Sequence, residues 1–172
     1  TLFPYTTLFR SFDMKVLYHS RTRKPETAKE FGLKYASFKR LLTESDFISI
    51  HVPLTPETNR FIGEKELKMM KPTAILVNLS RGPVVDTDAL YKALAKGWIA
   101  GAGLDVFDPE PVPAGHPVLG LDNVVVLPHI GSASNRSRRE MHLLAARNLL
   151  AGLNGERLEA CANPEVYESL GI

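Results

Sequence analysis

The chain is poor in the residues that mark oxidised, membrane-bound or metal-bound proteins. It has one cysteine, Cys161, in 172 residues. That excludes an internal disulfide and fits a reducing compartment. No apolar run reaches the ~18 residues of a membrane-spanning helix. Residues 1–11 are partly apolar but lack a basic start and contain Pro4, so they do not read as a secretory leader. A cytoplasmic protein with no membrane partner is the expectation. No Cys/His group has metal-ligand spacing, and no metal is expected. Neither sign of charge dominates: 21 Lys and Arg face 19 Asp and Glu, and the signs are interspersed. No nucleic-acid footprint follows. Two local absences carry more weight. Residues 1–11 contain no glycine, and the stretch from His19 to Lys24 contains no acid.

What remains is ordinary globular material, 44% hydrophobic and long enough for one domain with a sizeable core. Short apolar runs alternate with amphipathic stretches. MKVLYHS (14–20), FISIHVP (47–53), AILVNLS (74–80), IAGAGLDVF (99–107) and NVVVLPH (123–129) read as strands. FISIHVP has the continuous apolar character of a strand covered on both faces. Helices are expected over 26–31, 38–42, 64–70, 87–96 and 135–151. Asp86 is placed to cap the fourth, and Gly97 to end it. Residues 108–122, rich in Pro and Gly, read as a loop. In the last helix Met141, Leu144, Ala145, Asn148 and Leu149 fall roughly on one stripe. Repeated β-α-β alternation implies a doubly wound parallel sheet with helices on both faces, a Rossmann-like α/β fold. Ligands bind such sheets at the carboxyl ends of the strands.

Arg81, Glu110 and His129 all fall at those ends. A fixed cation, a carboxylate and an imidazole are the parts needed to bind a small carboxylate and move a proton. They stand in VNLSRGPVVD (77–86), GLDVFDPEP (103–111) and LPHIGSAS (127–134). With HVPLTPETNRFIG (51–63), and in this order, these motifs resemble the NAD(P)-dependent D-isomer-specific 2-hydroxyacid dehydrogenases. The likeness runs from Phe12 onward. Within that family the chain is most similar to the glyoxylate and hydroxypyruvate reductases, because of YHSRTRKPE (18–26) and the compact loop after Glu110.

The resemblance implies an oxidoreductase that transfers a hydride from a nicotinamide cofactor to a small 2-keto acid, glyoxylate or hydroxypyruvate, giving the 2-hydroxy acid. His129 would donate the proton to the carbonyl oxygen, Glu110 would orient the imidazole, and Arg81 would clamp the substrate carboxylate. Val52, Pro53, Thr58, Leu79 and Ser80 would border the cofactor, with Asp105, Gly131 and Ser132 near the nicotinamide. An acid after the second strand of this fold binds the ribose 2′-hydroxyl of NAD(H). Here Ser20, Arg21 and Thr22 stand instead and could accept a 2′-phosphate, so NADP(H) is favoured and NAD(H) remains possible. His19, His51, His116 and His142 read as structural, His51 as a packed strand histidine.

The first β-α unit of such a fold, with its glycine-rich phosphate loop, would precede FDMKVLY. TLFPYTTLFRS (1–11) stands there and, lacking glycine, cannot make that turn. Residues 1–11 are therefore expected to be a non-native junction, 12–134 a partial dinucleotide-binding domain, and 135–172 a helix and tail leading toward a substrate domain. Without that unit the strand at 14–18 should be separated from those at 47–51, 74–79 and 100–106, and the chain should be inactive alone. The full-length protein is expected to be a homodimer. Two rivals stay open: an NADH-dependent D-2-hydroxyacid dehydrogenase, such as a phosphoglycerate dehydrogenase, and a non-catalytic dinucleotide-sensing protein of the same fold.

Overall fold

Residues 11–171 are described by a computed structural model. The proposed junction at 1–11 lies outside the described residues except for Ser11. The chain divides into two compact units, one ending at Pro128 and one beginning at His129.

The first unit alternates strand and helix. Its elements are β1 (Leu17–Tyr18), α1 (Pro25–Glu30), β2 (Lys34–Tyr35), α2 (Phe38–Glu44), β3 (Phe47–Ile50), α3 (Glu64–Leu67), β4 (Ile75–Asn78), α4 (Thr87–Ala95), β5 (Gly101–Leu104) and β6 (Val124–Val126). All pairings are parallel, in two sheets ordered β1-β2 and β3-β4-β5-β6. Among the described residues no ladder joins the two sheets. β2 was not anticipated: two residues between Gly32 and Ala36 carry too little pattern to reveal a strand.

Local chemistry sets the helix limits. Ser37 caps α2 by accepting from the Arg40 amide (3.3 Å), and Asp86 caps α4 by accepting from the Ala89 amide (3.0 Å). Gly97, at φ +67°, follows α4 in the left-handed conformation that ends helices. Helix α4 buries Ala89, Leu90, Ala93 and Leu94 against Ile48, Ile50, Leu76, Ala102 and Leu104 of the sheet.

Strand β3 differs from its expected double covering. Ile48 and Ile50 are buried, whereas Phe47 is 54% exposed and Ser49 and His51 are exposed as well. Among the described residues the core packs on only one face of this strand, so its alternate side chains meet solvent. The 108–122 loop also holds a 3-10 turn, Pro117–Gly120, which drives Val118 into the core.

The second unit is built on α5 (Asn135–Leu153), capped by Ser134, with α6 (Val166–Leu170) after it. No residue of α5 is buried, and Met141, Leu149, Leu150 and Leu153 are more than half exposed. Asn148, expected on the apolar stripe, exchanges two hydrogen bonds with the Ala160 backbone (2.9 and 3.2 Å). Arg147 forms a bidentate pair with Glu159 (2.6 and 3.2 Å). These contacts hold the tail along the helix. Among the described residues no helix is long and apolar enough to cross a membrane.

Candidate active site

Parallel strands β3 and β4 end side by side, and the loops that leave them enclose an open cavity of about 560 Å³. His51, Val52, Pro53 and Leu54 line it from one side, Leu79, Ser80 and Arg81 from the other. Five residues singled out in the sequence, Val52, Pro53, Leu79, Ser80 and Arg81, therefore share one site. Thr58 is not in the lining. Its hydroxyl donates to the Pro53 carbonyl (2.6 Å) and accepts from the Thr55 amide (2.7 Å), so it shapes the wall.

The Arg81 turn is held from three directions. The Ser80 hydroxyl donates to the Val52 carbonyl, tying the two loops together across the cavity. The Asn78 side chain is 1% exposed; its amide oxygen accepts from the Ser80 N–H (3.1 Å) and its amide nitrogen donates to the Arg81 carbonyl (3.0 Å). Gly82 lies flat on the peptide between Phe107 and Asp108. A Cβ on it would stand 1.8 Å from the Phe107 carbonyl oxygen. The Arg81 side chain is exposed, and its guanidinium donates to the Ser80 carbonyl (2.7 Å).

Asp105 follows β5, is 2% exposed, and its amide donates to the Asn78 carbonyl (3.1 Å). Three residues after the Gly82 contact, Glu110 is exposed between Pro109 and Pro111. His129 opens the second unit and holds φ +54°, a left-handed conformation uncommon outside glycine but more frequent for histidine than for most residues. Gly131 and Ser132 follow it, exposed, ahead of α5. Asp13 and Arg60 hold the same left-handed conformation as His129, at φ +55° and +53°.

At the other sheet, His19 Nδ1 lies 3.0 Å from the Ala36 carbonyl and pins the end of β1. Ser20 donates to the Thr22 carbonyl (2.7 Å), and the Arg23 guanidinium sits 4.1 Å over the Tyr35 ring. Glu57 is held below the usual carboxylate range mainly by the Thr55 hydroxyl, then by its own backbone, with a smaller contribution from the Arg21 charge.

Two residues were missed. Asn78 reads as the polar end of a strand, and its signal was only the Asn-x-Ser spacing that allows an Asx turn. His51 lines the Arg81 cavity, with Nε2 2.8 Å from the Ser49 hydroxyl. Although the residue is exposed overall, partial desolvation of the ring at the cavity wall holds its imidazole below the ordinary value. The unfolded chain then takes the proton more readily, so this contribution is complete above about pH 6.5 and is lost as pH falls. An NMR titration of the His51 ring should give a midpoint below about 6.5, and His51→Gln should remove that part of the pH dependence. A midpoint at or above 6.5 would show that the ring is not desolvated.

A cleft at the carboxyl ends of adjacent parallel strands, lined by both apolar and polar side chains, is where such sheets bind dinucleotides, while the glycine-rich loop that would hold a pyrophosphate is not among the described residues. Among the described residues no group of three His, Cys, Asp or Glu could hold a metal ion.

Residues 5–131 match the family described as D-isomer specific 2-hydroxyacid dehydrogenase, NAD binding domain. A glyoxylate reductase of Thermococcus litoralis is 57% identical over 160 residues, covering 93% of this chain and 48% of that protein. Glyoxylate/hydroxypyruvate reductase B of Pectobacterium carotovorum is 52% identical over 157 residues, 91% of this chain and 49% of its own length. Among solved structures, D-lactate dehydrogenase with NAD+ from Lactobacillus jensenii superposes with a TM-score of 0.80 at 37% identity, covering 90% of this chain and 50% of that one. The chain spans about half the length of the curated relatives it matches.

Proposed function

The chain belongs to the D-isomer specific 2-hydroxyacid dehydrogenases, and from that premise we propose that it carries the cofactor-binding and proton-transfer part of an enzyme reducing glyoxylate or hydroxypyruvate. The observation that carries the reading is the cavity shared by Val52, Pro53, Leu79, Ser80 and Arg81 at the ends of β3 and β4. A bound nicotinamide supplies the hydride. The chain's own residues do the rest. Arg81 presents a planar fork to the substrate carboxylate, a geometry lysine cannot reproduce. His129 delivers a proton to the carbonyl oxygen as general acid. Glu110 is the acid assigned to orient that ring. Asp105 would accept from the nicotinamide carboxamide, and Gly131 and Ser132 would lie near the nicotinamide.

NADPH is the proposed donor, on the strength of Ser20, Arg21 and Thr22 and the lack of an acid among them. Steady-state kinetics of the complete gene product with both cofactors decide between them. Arg21→Ser is expected to cost about tenfold in kcat/KM with NADPH, roughly one charge-assisted contact, and to leave NADH unaffected. An equal loss with both cofactors would contradict 2′-phosphate recognition. Homodimerisation is the proposed assembly, supported by the exposed Met141, Leu149, Leu150 and Leu153 of α5.

Arg81→Lys gives the most direct check of the substrate assignment. KM for glyoxylate should rise roughly tenfold or more, with the cofactor KM unchanged. An unchanged glyoxylate KM would remove Arg81 from the substrate site.

A further inference from the structure

We propose that Asn78 is the positioning residue of the substrate clamp: its buried amide sets the Ser80–Arg81 turn and thereby aims the Arg81 guanidinium. The inference rests on the functional reading above and deepens it. Asn78 occupies the last position of β4, where the ladder to β5 ends and the backbone must turn. A buried amide has to place its polar atoms on partners, and here both partners belong to the clamp. The side-chain oxygen receives the Ser80 N–H and the side-chain nitrogen holds the Arg81 carbonyl. The main-chain carbonyl of the same residue receives the Asp105 amide. One residue thus connects the Arg81 turn to the end of β5.

The two side-chain bonds fix the peptide plane before Ser80 and the peptide plane after Arg81. Those planes set the direction in which the Arg81 Cα–Cβ bond leaves the turn. The hydroxyl bond from Ser80 to Val52 depends on the same geometry. Asn78 lines no part of the cavity and does not reach substrate, so its effect passes through Arg81. A valine or leucine would suit this strand end by hydrophobicity, but it would leave the Ser80 N–H and the Arg81 carbonyl without these bonds.

The test is a double-mutant cycle in the complete gene product, read by glyoxylate kinetics and by affinity for oxamate, an unreactive analogue. Asn78→Ala removes both bonds. Asn78→Ser is milder, because a hydroxyl can still accept from the Ser80 N–H while the bond to the Arg81 carbonyl is lost. Asn78→Ala is expected to raise KM for glyoxylate about tenfold and leave the cofactor KM within about twofold, with Asn78→Ser between it and the wild type. In an Arg81→Ala background neither change should raise KM further, because the group they aim is gone. A purely structural role would instead give additive losses in that background, or equal losses for substrate and cofactor. If Asn78→Ala fails to fold, the Asn78→Ser arm of the cycle decides on its own. Additivity in a wild type that turns over glyoxylate overturns the Asn78 inference alone. A wild type with neither turnover nor oxamate affinity overturns the functional reading and this inference together.

Discussion

Replacing Gly82 by alanine should unfold the first unit at a markedly lower temperature. The added Cβ would stand 1.8 Å from the Phe107 carbonyl oxygen, 2.0 Å from its carbon and 2.7 Å from the Asp108 nitrogen. All three are backbone atoms, so no side chain can swing aside. Either the Arg81 turn or the strand-end segment at Phe107 must move. Both are anchored: Val84 and Phe107 belong to the core, and Ile62 and Val84 are joined by a backbone bond of 3.1 Å. Forced overpacking costs about 1–3 kcal/mol and occasionally more. With a shift of about 2–4 °C per kcal/mol for a protein of this size, a fall on the order of 10 °C is expected. Thermal unfolding of the 172-residue chain by circular dichroism measures it. An unchanged midpoint would mean that the two loops do not lie in backbone contact.

The second large effect concerns His129. His129→Gly should lower kcat for 2-keto-acid reduction by about 10²–10⁴, the usual contribution of one general acid, without a matching loss of stability. The residue holds φ +54°, a conformation that costs about 1–2 kcal/mol for a residue with a Cβ and nothing for glycine. Glycine therefore keeps the backbone and removes the imidazole. His129→Val, branched at Cβ and poorly suited to positive φ, should lose activity and stability together. The contrast between the two variants separates the proton-transfer role from the backbone role. Full turnover in His129→Gly would place the proton donor elsewhere.

Features legible in the sequence were those governed by local rules. Asp86 and Gly97 mark the ends of α4 because capping and left-handed termination act within a few residues. Arg81, with Leu79 and Ser80, could be placed at a cavity because the strand before it is strongly apolar and a parallel sheet binds ligands at strand ends. What was hidden depends on contacts distant in the chain. The Gly82 contact spans the interval to Phe107, and a glycine in RGP reads only as a turn. Asn78 is polar in a buried strand, which a hydrophobicity pattern treats as an ending. His51 looked like core because β3 was read as covered on both faces. With Phe47, Ser49 and His51 exposed, the same alternation instead directs the imidazole to the cavity wall.

The most direct test of the account is steady-state reduction of glyoxylate by the complete gene product, with NADPH and NADH compared in the same buffer. The account predicts turnover of glyoxylate, with kcat/KM higher for NADPH, a raised glyoxylate KM with measurable turnover in Arg81→Ala, and a kcat about 10²–10⁴ lower in His129→Gly. Absence of turnover with glyoxylate, hydroxypyruvate and every other 2-keto acid tried, with either cofactor, would contradict it.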